Sequence, residues 1–223
     1  MGAVRTRRMP RAVRERQMLD AAVQIFGWRG CTAASMDETA ELVGVSKPLV
    51  HLYLNSKEAL FTACIRREAA ALTEAVRAGV HPGVPADRQL WEGLRAFFRH
   101  TARHPEGWAV LHLQARTHGE PFAAEIVAMR AEIVEFVTRL ILVAAREAHH
   151  DPGPPERAVA GLAEALAGAA GSLADWANAT PGVSARQAAA TLMNFAWAGL
   201  GDLMEDRPWT PPADDPTAPT ALT

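Results

Sequence analysis

Side chains able to hydrogen-bond to phosphates and base edges are concentrated between Ser35 and Lys57. This stretch mixes hydroxyl, ammonium, imidazole and phenol groups with apolar side chains, and both kinds contact DNA in its major groove. The candidate DNA-contacting residues are Ser35, Ser46, Lys47, Pro48, Leu49, His51, Leu52, Tyr53 and Lys57. Leu49 could contact a thymine methyl group, and His51 could donate to a base or a phosphate.

Two short helices joined by a tight turn must position these side chains. Ser35 can cap a helix over about residues 36–43, and Gly44 stands where that helix must stop, because glycine best tolerates a positive φ. Ser46 can cap a second helix, and Pro48 falls in its first turn, where a missing N–H costs little. This spacing predicts a helix-turn-helix motif whose second helix can enter a major groove.

The segment GVSKPLVHLYLNSKEALF, residues 44–61, resembles the N-terminal domain of the TetR family of bacterial repressors. Upstream, Ile25, Phe26 and Gly30 fall where that family has its first-helix aromatic and its turn glycine. The resemblance covers about residues 11–65. It implies an all-α fold, in which a three-helix helix-turn-helix domain precedes a helical domain for ligand binding and dimerisation.

Three residues depart from the family pattern. Thr39 and His51 stand where Ile and Tyr are usual, and Cys31 takes a place often held by an aromatic residue. Tyr53 and Lys57 match family positions that typically hold phosphates. The resemblance therefore implies phosphate contacts for these two residues and leaves base contacts to the preceding part of the helix.

The charge of the chain is divided unevenly. Its net charge is −2 over 223 residues, so the whole protein is not a basic nucleic-acid binder. Residues 1–60, however, hold nine Lys or Arg against six Asp or Glu, whereas the remainder holds 14 against 19. A basic first part on an acidic body suits a DNA-binding module attached to a domain with another task.

The sequence indicates a cytoplasmic protein without a membrane span. No apolar stretch follows the Arg-rich N-terminus as in a signal peptide, and no uncharged apolar run approaches the roughly 20 residues that span a bilayer. Thiols stay reduced in the cytoplasm. The two cysteines, Cys31 and Cys64, are therefore interpreted as packing residues.

The periodicity predicts helices throughout and no strand. Ser56 can cap a long helix to about residue 78, and Gly79–Pro85 ends it. Further helices are predicted over residues 86–103, from Pro105, from Pro121, and over 156–179 and 185–206. The predicted division is a disordered basic arm (1–10), the helix-turn-helix domain (11–55), the ligand-binding and dimerisation domain (56–206) and a disordered Pro-rich tail (207–223).

Two features of this division keep more than one interpretation. Arg5, Arg7 and Arg8 of the arm could lie along phosphates or in a minor groove, or could belong to a solvated tail. The last two helices are rich in Gly, Ala and Ser interleaved with Leu. Small residues of this kind fit an internal core, but the family resemblance favours a four-helix interface between two copies of the chain.

No motif for catalysis or cofactor binding stands out. The sequence has no P-loop and no Gly-x-Ser-x-Gly elbow. His100 and His104 are spaced i, i+4, but no carboxylate completes an HExxH pattern and a helix break follows His104. We therefore expect neither an enzyme nor a resident metal or cofactor, and interpret the histidines as surface or pocket-lining residues.

The middle helices carry aromatic and histidine side chains that could surround a ligand. Most must be plain core, but ligand pockets are themselves mostly apolar with a few polar groups. That a pocket exists is implied mainly by the resemblance. The candidate ligand-binding residues are Trp91, Phe98, His104, Trp108, His112, Phe122 and Trp176, with Thr117 and His118 as further polar candidates.

The predicted function is that of a TetR-like transcriptional regulator. It would act as a repressor, bind a pseudo-palindromic double-stranded operator as a homodimer, and be released by a small apolar or aromatic effector. Two alternatives stay open: a helical enzyme or carrier with a vestigial helix-turn-helix, and a regulator that answers to a partner protein without a ligand.

Overall fold

A computed structural model describes residues 10–114, 122–148 and 156–204. The described residues form helices and no strand, so the predicted all-α fold is confirmed. The predicted tail, residues 1–9 of the predicted arm, Thr117, His118 and the predicted helix start at Pro121 lie outside this part of the chain. The helices are α1 (Arg11–Ala33), α2 (Met36–Val43), α3 (Lys47–Leu54), α4 (Lys57–Gly79), α5 (Ala86–Arg103), α6 (Pro105–Ala109), a π-helical turn (Val110–Gln114), α7 (Phe122–Ala148), α8 (Glu156–Ala179) and α9 (Ala185–Met204).

Helix α2 has the predicted bounds because both of its ends are capped. The Ser35 hydroxyl accepts from the Glu38 N–H at 3.1 Å, and the Glu38 carboxylate accepts from the Ser35 N–H at 3.0 Å. This reciprocal pair is a capping box. At the other end Gly44 has φ 70°, the left-handed conformation expected there.

The recognition helix α3 starts differently from the prediction. Ser46 occupies the N-cap position, but its side chain makes no capping hydrogen bond, so that detail was wrong. The reason lies in the two positions that an N-cap side chain can reach. Pro48 has no N–H to donate, and the Leu49 N–H already bonds to the Ser46 carbonyl at 2.9 Å.

Helices α1 and α4 join the helix-turn-helix to the rest of the molecule. The sequence predicts α1 over about residues 11–28, but the helix runs to Ala33, with a break at Gly30 (φ 73°). Helix α4 is capped by Ser56, as expected, and its 23 residues span roughly 34 Å. A line of edge-to-face rings, Phe26, Phe61 and Phe122, connects α1, α4 and α7 with centroid spacings of 4.9 Å.

Both cysteines lie in this shared core. Cys31 and Cys64 are buried and unoxidised. Burial raises the pKa of the Cys64 thiol to about 12 and also raises that of Cys31. The thiols are therefore protonated at neutral pH, which agrees with the packing role predicted for them.

Candidate DNA-binding surface and effector cavity

Helix α3 exposes one face to solvent and packs the other on α2 and α4. Val50 is fully buried and holds the helix in place. Lys47, Pro48 and His51 are exposed, and Leu52 has 73% of its surface exposed despite being apolar. This face has the mixture of cationic, imidazole and aliphatic groups that a major groove can accept.

Not every candidate for DNA contact lies fully on this face. Leu49 is half-buried and packs against the core, so Leu52 is the more available aliphatic group. Ser35 and Ser46 are exposed at the starts of α2 and α3. Tyr53 belongs to α3, but its side chain is outside the described part of the chain.

The cations around the motif are engaged with protein groups. The Lys47 ammonium lies 2.6 Å from a carboxylate oxygen of Asp37, and the Lys57 ammonium donates to the Thr32 carbonyl at 3.1 Å. Arg29 likewise lies 2.6 Å from Glu38. Any phosphate contact made by these side chains must therefore compete with an internal partner.

The helical body contains a cavity of about 680 Å³ that is partly open to solvent and lies within the size range of small-molecule sites. Helices α4, α5, α7 and α8 form most of its wall, and the end of α6 with the π-helical turn closes part of it. The wall is mostly aliphatic and aromatic. Its polar side chains are Gln89, His112, Arg130 and Ser172.

The polar groups of the wall are largely held by the protein. The Gln89 amide donates to the Val84 carbonyl at 2.8 Å. The Arg130 guanidinium donates to the Glu164 carboxylate at 2.7 and 3.0 Å. Because these donors are already engaged, the cavity offers a ligand chiefly apolar contact.

Trp108 and His112 form a stacked pair of rings at the wall. Their rings are stacked 4.7 Å apart at 12°, and both reach Asp175 of α8. The Trp108 indole N–H donates to one Asp175 oxygen at 2.7 Å, and the His112 Nδ1 lies 2.6 Å from the other. Asp175 therefore fixes the orientation of the two rings. It could not be identified from the sequence, because both of its partners lie more than 60 residues away along the chain.

The structure places only these two predicted ligand-binding residues at the cavity wall. Phe98 and Phe122 are buried in the core among other rings. His104 is exposed beside His100, Trp91 packs beneath the Arg186 guanidinium, and 53% of Trp176 faces solvent. These five residues do not line the cavity, because they were predicted from residue type alone. Residue type does not determine which face of a helix is turned towards the cavity.

Helix α7 provides wall residues that were not among the predicted ligand-binding candidates. Its apolar side chains line the cavity from Ala123 to Ile141, and Ile133 lies near the middle of this stretch. These nineteen residues are separated by 18 helical rises, which span roughly 27 Å. The helical period of this segment was visible in the sequence, but a face that lines a cavity has the same period as one that fills a core.

Helix α6 lies between the cavity and the helix-turn-helix. On one side it carries Trp108 to the cavity wall. On the other side α1 approaches so closely that a Cβ added to Gly27 would lie 2.9 Å from the Glu106 backbone. Gly107 similarly packs on the buried Glu68 carboxylate of α4. A displacement of α6 would therefore press on the two helices that carry the DNA-binding motif.

Helices α8 and α9 place small residues of α8 at the cavity and expose two aromatic residues to solvent. Gly168 and Gly171 line the cavity, and a Cβ on Gly171 would lie 3.1 Å from the His112 ring. Elsewhere on the pair, Phe195 and Trp176 have 73% and 53% of their surfaces exposed. Gly168 and Gly171 thus allow close helix approach within one chain.

The histidines do not assemble a metal site among the described residues. His100 and His104 rings lie 4.7 Å apart without further ligands grouped around them. Burial lowers the pKa of His100, and the neighbouring His104 lowers it further, while Glu68 opposes both effects.

Within the described ranges, no helix combines the length and apolarity that crossing a membrane demands.

Comparison with known proteins matches most of the chain to one family. The family model for the bacterial regulatory proteins of the tetR family matches residues 18–64, and that for the tetracyclin repressor-like C-terminal domain matches residues 86–199. A TetR-like transcriptional regulator of known structure from Rhodococcus sp. RHA1 is 34% identical, with a TM-score of 0.74, over 87% of this chain and 99% of its own.

Two further relatives widen the comparison. The transcriptional activator FasR of Mycolicibacterium smegmatis is 28% identical over 199 residues, which cover 89% of this chain and 88% of FasR. The structure of FadR from Bacillus subtilis in complex with stearoyl-CoA has a TM-score of 0.66 over 81% of this chain and 96% of its own, but its 14% identity shows a common fold only. The chain belongs to the TetR family of helix-turn-helix transcriptional regulators.

Proposed function

We propose that this regulator is a homodimer that binds a pseudo-palindromic operator through α3 and senses an apolar small molecule in the cavity of its body. The observation that carries the proposal is the position of α6. One helix contributes to the cavity wall and packs on both helices that support the DNA-binding motif. A ligand that changes the position of α6 therefore has a physical route to α3.

The dimensions of the cavity favour an elongated ligand. Its 680 Å³ distributed along about 27 Å of α7 gives a mean cross-section of roughly 25 Å². A space that is long for its volume favours an extended chain over a compact ring system. The acyl chain of stearoyl-CoA, bound by the FadR of similar fold, is a ligand of that shape.

The proposed mechanism is a shift between two populated conformations. Ligand would favour the conformation in which the two α3 helices of a dimer no longer match successive major grooves, and operator affinity would fall. Output by repression follows from this model. FasR is named an activator, so a relative with the opposite output exists, and a reporter assay on the regulated promoter decides between the two.

The proposed dimer uses helices α8 and α9. Phe195 and Trp176 leave a large aromatic area in contact with solvent in the single chain. Exposed aromatic groups of this size on neighbouring helices are typical of surfaces that a second copy covers. A dimer also supplies the two recognition helices that a pseudo-palindromic site requires.

A series of straight-chain fatty acids tests the ligand proposal. Each added CH₂ should strengthen binding by about 0.8 kcal/mol, or roughly fourfold, until the chain fills the cavity. Quenching of the wall residues Trp108 and Trp197, together with the rise in melting temperature, measures the affinity. A rigid polycyclic aromatic compound of comparable apolar area should bind more weakly.

A matched pair of variants on α7 identifies the cavity as the binding site. Ile133→Trp fills the wall and should abolish chain binding, whereas Ala131→Trp adds the same ring on the solvent side and should leave it intact. Equal binding by both variants would contradict the cavity site. If no chain or aromatic compound bound at all, control by a partner protein would become the better account, and turnover of a bound compound would favour a helical enzyme.

A further inference from the structure

The recognition helix begins with an ion pair between Lys47 and Asp37. Lys47 is the first residue of α3, and its ammonium lies 2.6 Å from the Asp37 carboxylate in the first turn of α2. The hydrogen bond from Lys47 to Asp37 raises the pKa of the lysine, which is therefore protonated at physiological pH. Both side chains are about half exposed, at 56% and 48%.

The surrounding surface has almost no surplus of positive charge. Residues 10–57 contain six Lys or Arg and five Asp or Glu. Arg29 is paired with Glu38 in the same way that Lys47 is paired with Asp37. Sequence-independent DNA binding depends almost entirely on cations that displace counterions from phosphates. This domain therefore presents few cations for that purpose.

We propose that Asp37 is a selectivity-determining residue, which withdraws Lys47 from phosphate binding on non-operator DNA. The proposal rests on the proposed use of α3 as the recognition helix. A phosphate that approaches Lys47 meets a pair with no net charge and a carboxylate close to the ammonium. The pair then releases no counterion, and only a base-edge acceptor that fits the geometry of the groove draws Lys47 from Asp37.

The salt dependence of binding to a random-sequence duplex measures this effect directly. Each phosphate neutralised contributes a slope of about −0.9 to the plot of log K against log salt concentration. Asp37→Asn should make the slope of the full-length protein steeper by about 0.9. Between 50 and 200 mM salt, the variant should therefore lose about three- to fourfold more affinity than the unmodified protein.

A double-mutant cycle assigns the gain to Lys47. Lys47→Ala should leave the slope on the random duplex unchanged in the unmodified protein but remove the additional 0.9 in the Asp37→Asn background. Asp20→Asn is the matched control. It removes the same charge from a pair with Arg67 between α1 and α4, and it should leave the slope unchanged.

Three results would overturn the proposal. Lys47→Ala could reduce the slope by a full unit in the unmodified protein, which would mean that Lys47 already binds a phosphate. The gain in Asp37→Asn could survive the loss of Lys47, or Asp20→Asn could reproduce it, and the effect would then be general charge. Asp37→Ser repeats the test if the Asn variant melts early. Failure of the unmodified protein to enrich any sequence from random duplexes would instead count against the use of α3 as a recognition helix.

Discussion

The DNA-binding motif and the cavity of the helical body are constructed on opposite principles. The motif takes its shape from neighbours in sequence: Ser35 and Glu38 cap α2, Gly44 ends it, and Ser46 closes the first turn of α3. The cavity takes its shape from side chains of helices far apart in the sequence. We therefore expect a substitution in the motif to act locally, and a substitution beside the cavity to act on several helices together.

Loss of the proposed dimer should have the largest effect on operator binding, because one motif alone occupies only a half-site. Phe195→Arg should give a monomer and weaken operator binding at least a hundredfold through loss of the second contact. Sedimentation at micromolar concentration and titration of a selected operator measure the two effects.

Val143→Arg on α7 is the control for Phe195→Arg. Its side chain is also apolar and exposed, at 46%, but it lies outside α8 and α9. A dimer that persists in Phe195→Arg, or that is lost equally in both variants, would argue against the proposed interface.

The α1–α6 contact is the place where the two regions meet. Gly27→Ala would put a methyl group against the Glu106 backbone, which cannot yield as a flexible side chain does. We expect a loss of about 1–3 kcal/mol in the free energy of unfolding from overpacking, measured by urea denaturation. Gly161→Ala, where no atom lies within 4 Å, should instead be neutral or slightly stabilising. Equal stabilities would mean that α1 and α6 are not tightly packed.

Within the motif, specificity and affinity should separate. His51→Ala should change the preferred sequence and cost about 1–3 kcal/mol at the base pair that His51 contacts. Selection from random duplexes, followed by titration of the selected sites, measures the change.

Lys57→Ala provides the contrast with His51→Ala. It should weaken all sequences alike and reduce the salt slope by about one unit. A uniform loss in the His51 variant would mean that this histidine holds a phosphate. An altered sequence preference in the Lys57 variant would mean that Lys57 does not act simply as a phosphate contact.

A smaller effect concerns His100 of α5, whose ring lies beside that of His104. Burial and His104 lower its pKa in the folded protein, so the unfolded chain takes up the proton first as the pH falls. Stability should therefore be constant above the ordinary histidine pKa of about 6.5 and should decrease below it. His100→Gln should reduce that decrease, as measured by thermal unfolding between pH 5 and 8 (roughly the range in which histidine titrates). An unchanged profile would assign the pH dependence to other groups.

The sequence could predict the motif far better than the cavity, for a physical reason. Caps and turns depend on residues three or four positions apart, so the bounds of α2 and the role of Gly44 could be read directly. The missing cap of Ser46 could also have been deduced, since Pro48 removes one of the two donors that it needs.

The cavity depends on which face each helix turns inward, and sequence periodicity alone does not fix that rotation. Trp108 and His112 were identified, but Asp175, which holds both rings, is joined to them only by the fold. Phe98 and Phe122 share the composition of wall residues and yet lie in the core.

The most direct test of the account is the mutual effect of ligand and operator on the unmodified protein. Operator affinity is measured with and without a saturating long-chain fatty acid, and fatty-acid affinity is measured with and without operator. The account predicts that each weakens the other by the same factor, in the range of about 5–150-fold typical of coupled sites. Tight binding of the fatty acid in the cavity with no change in operator affinity would contradict the coupling through α6.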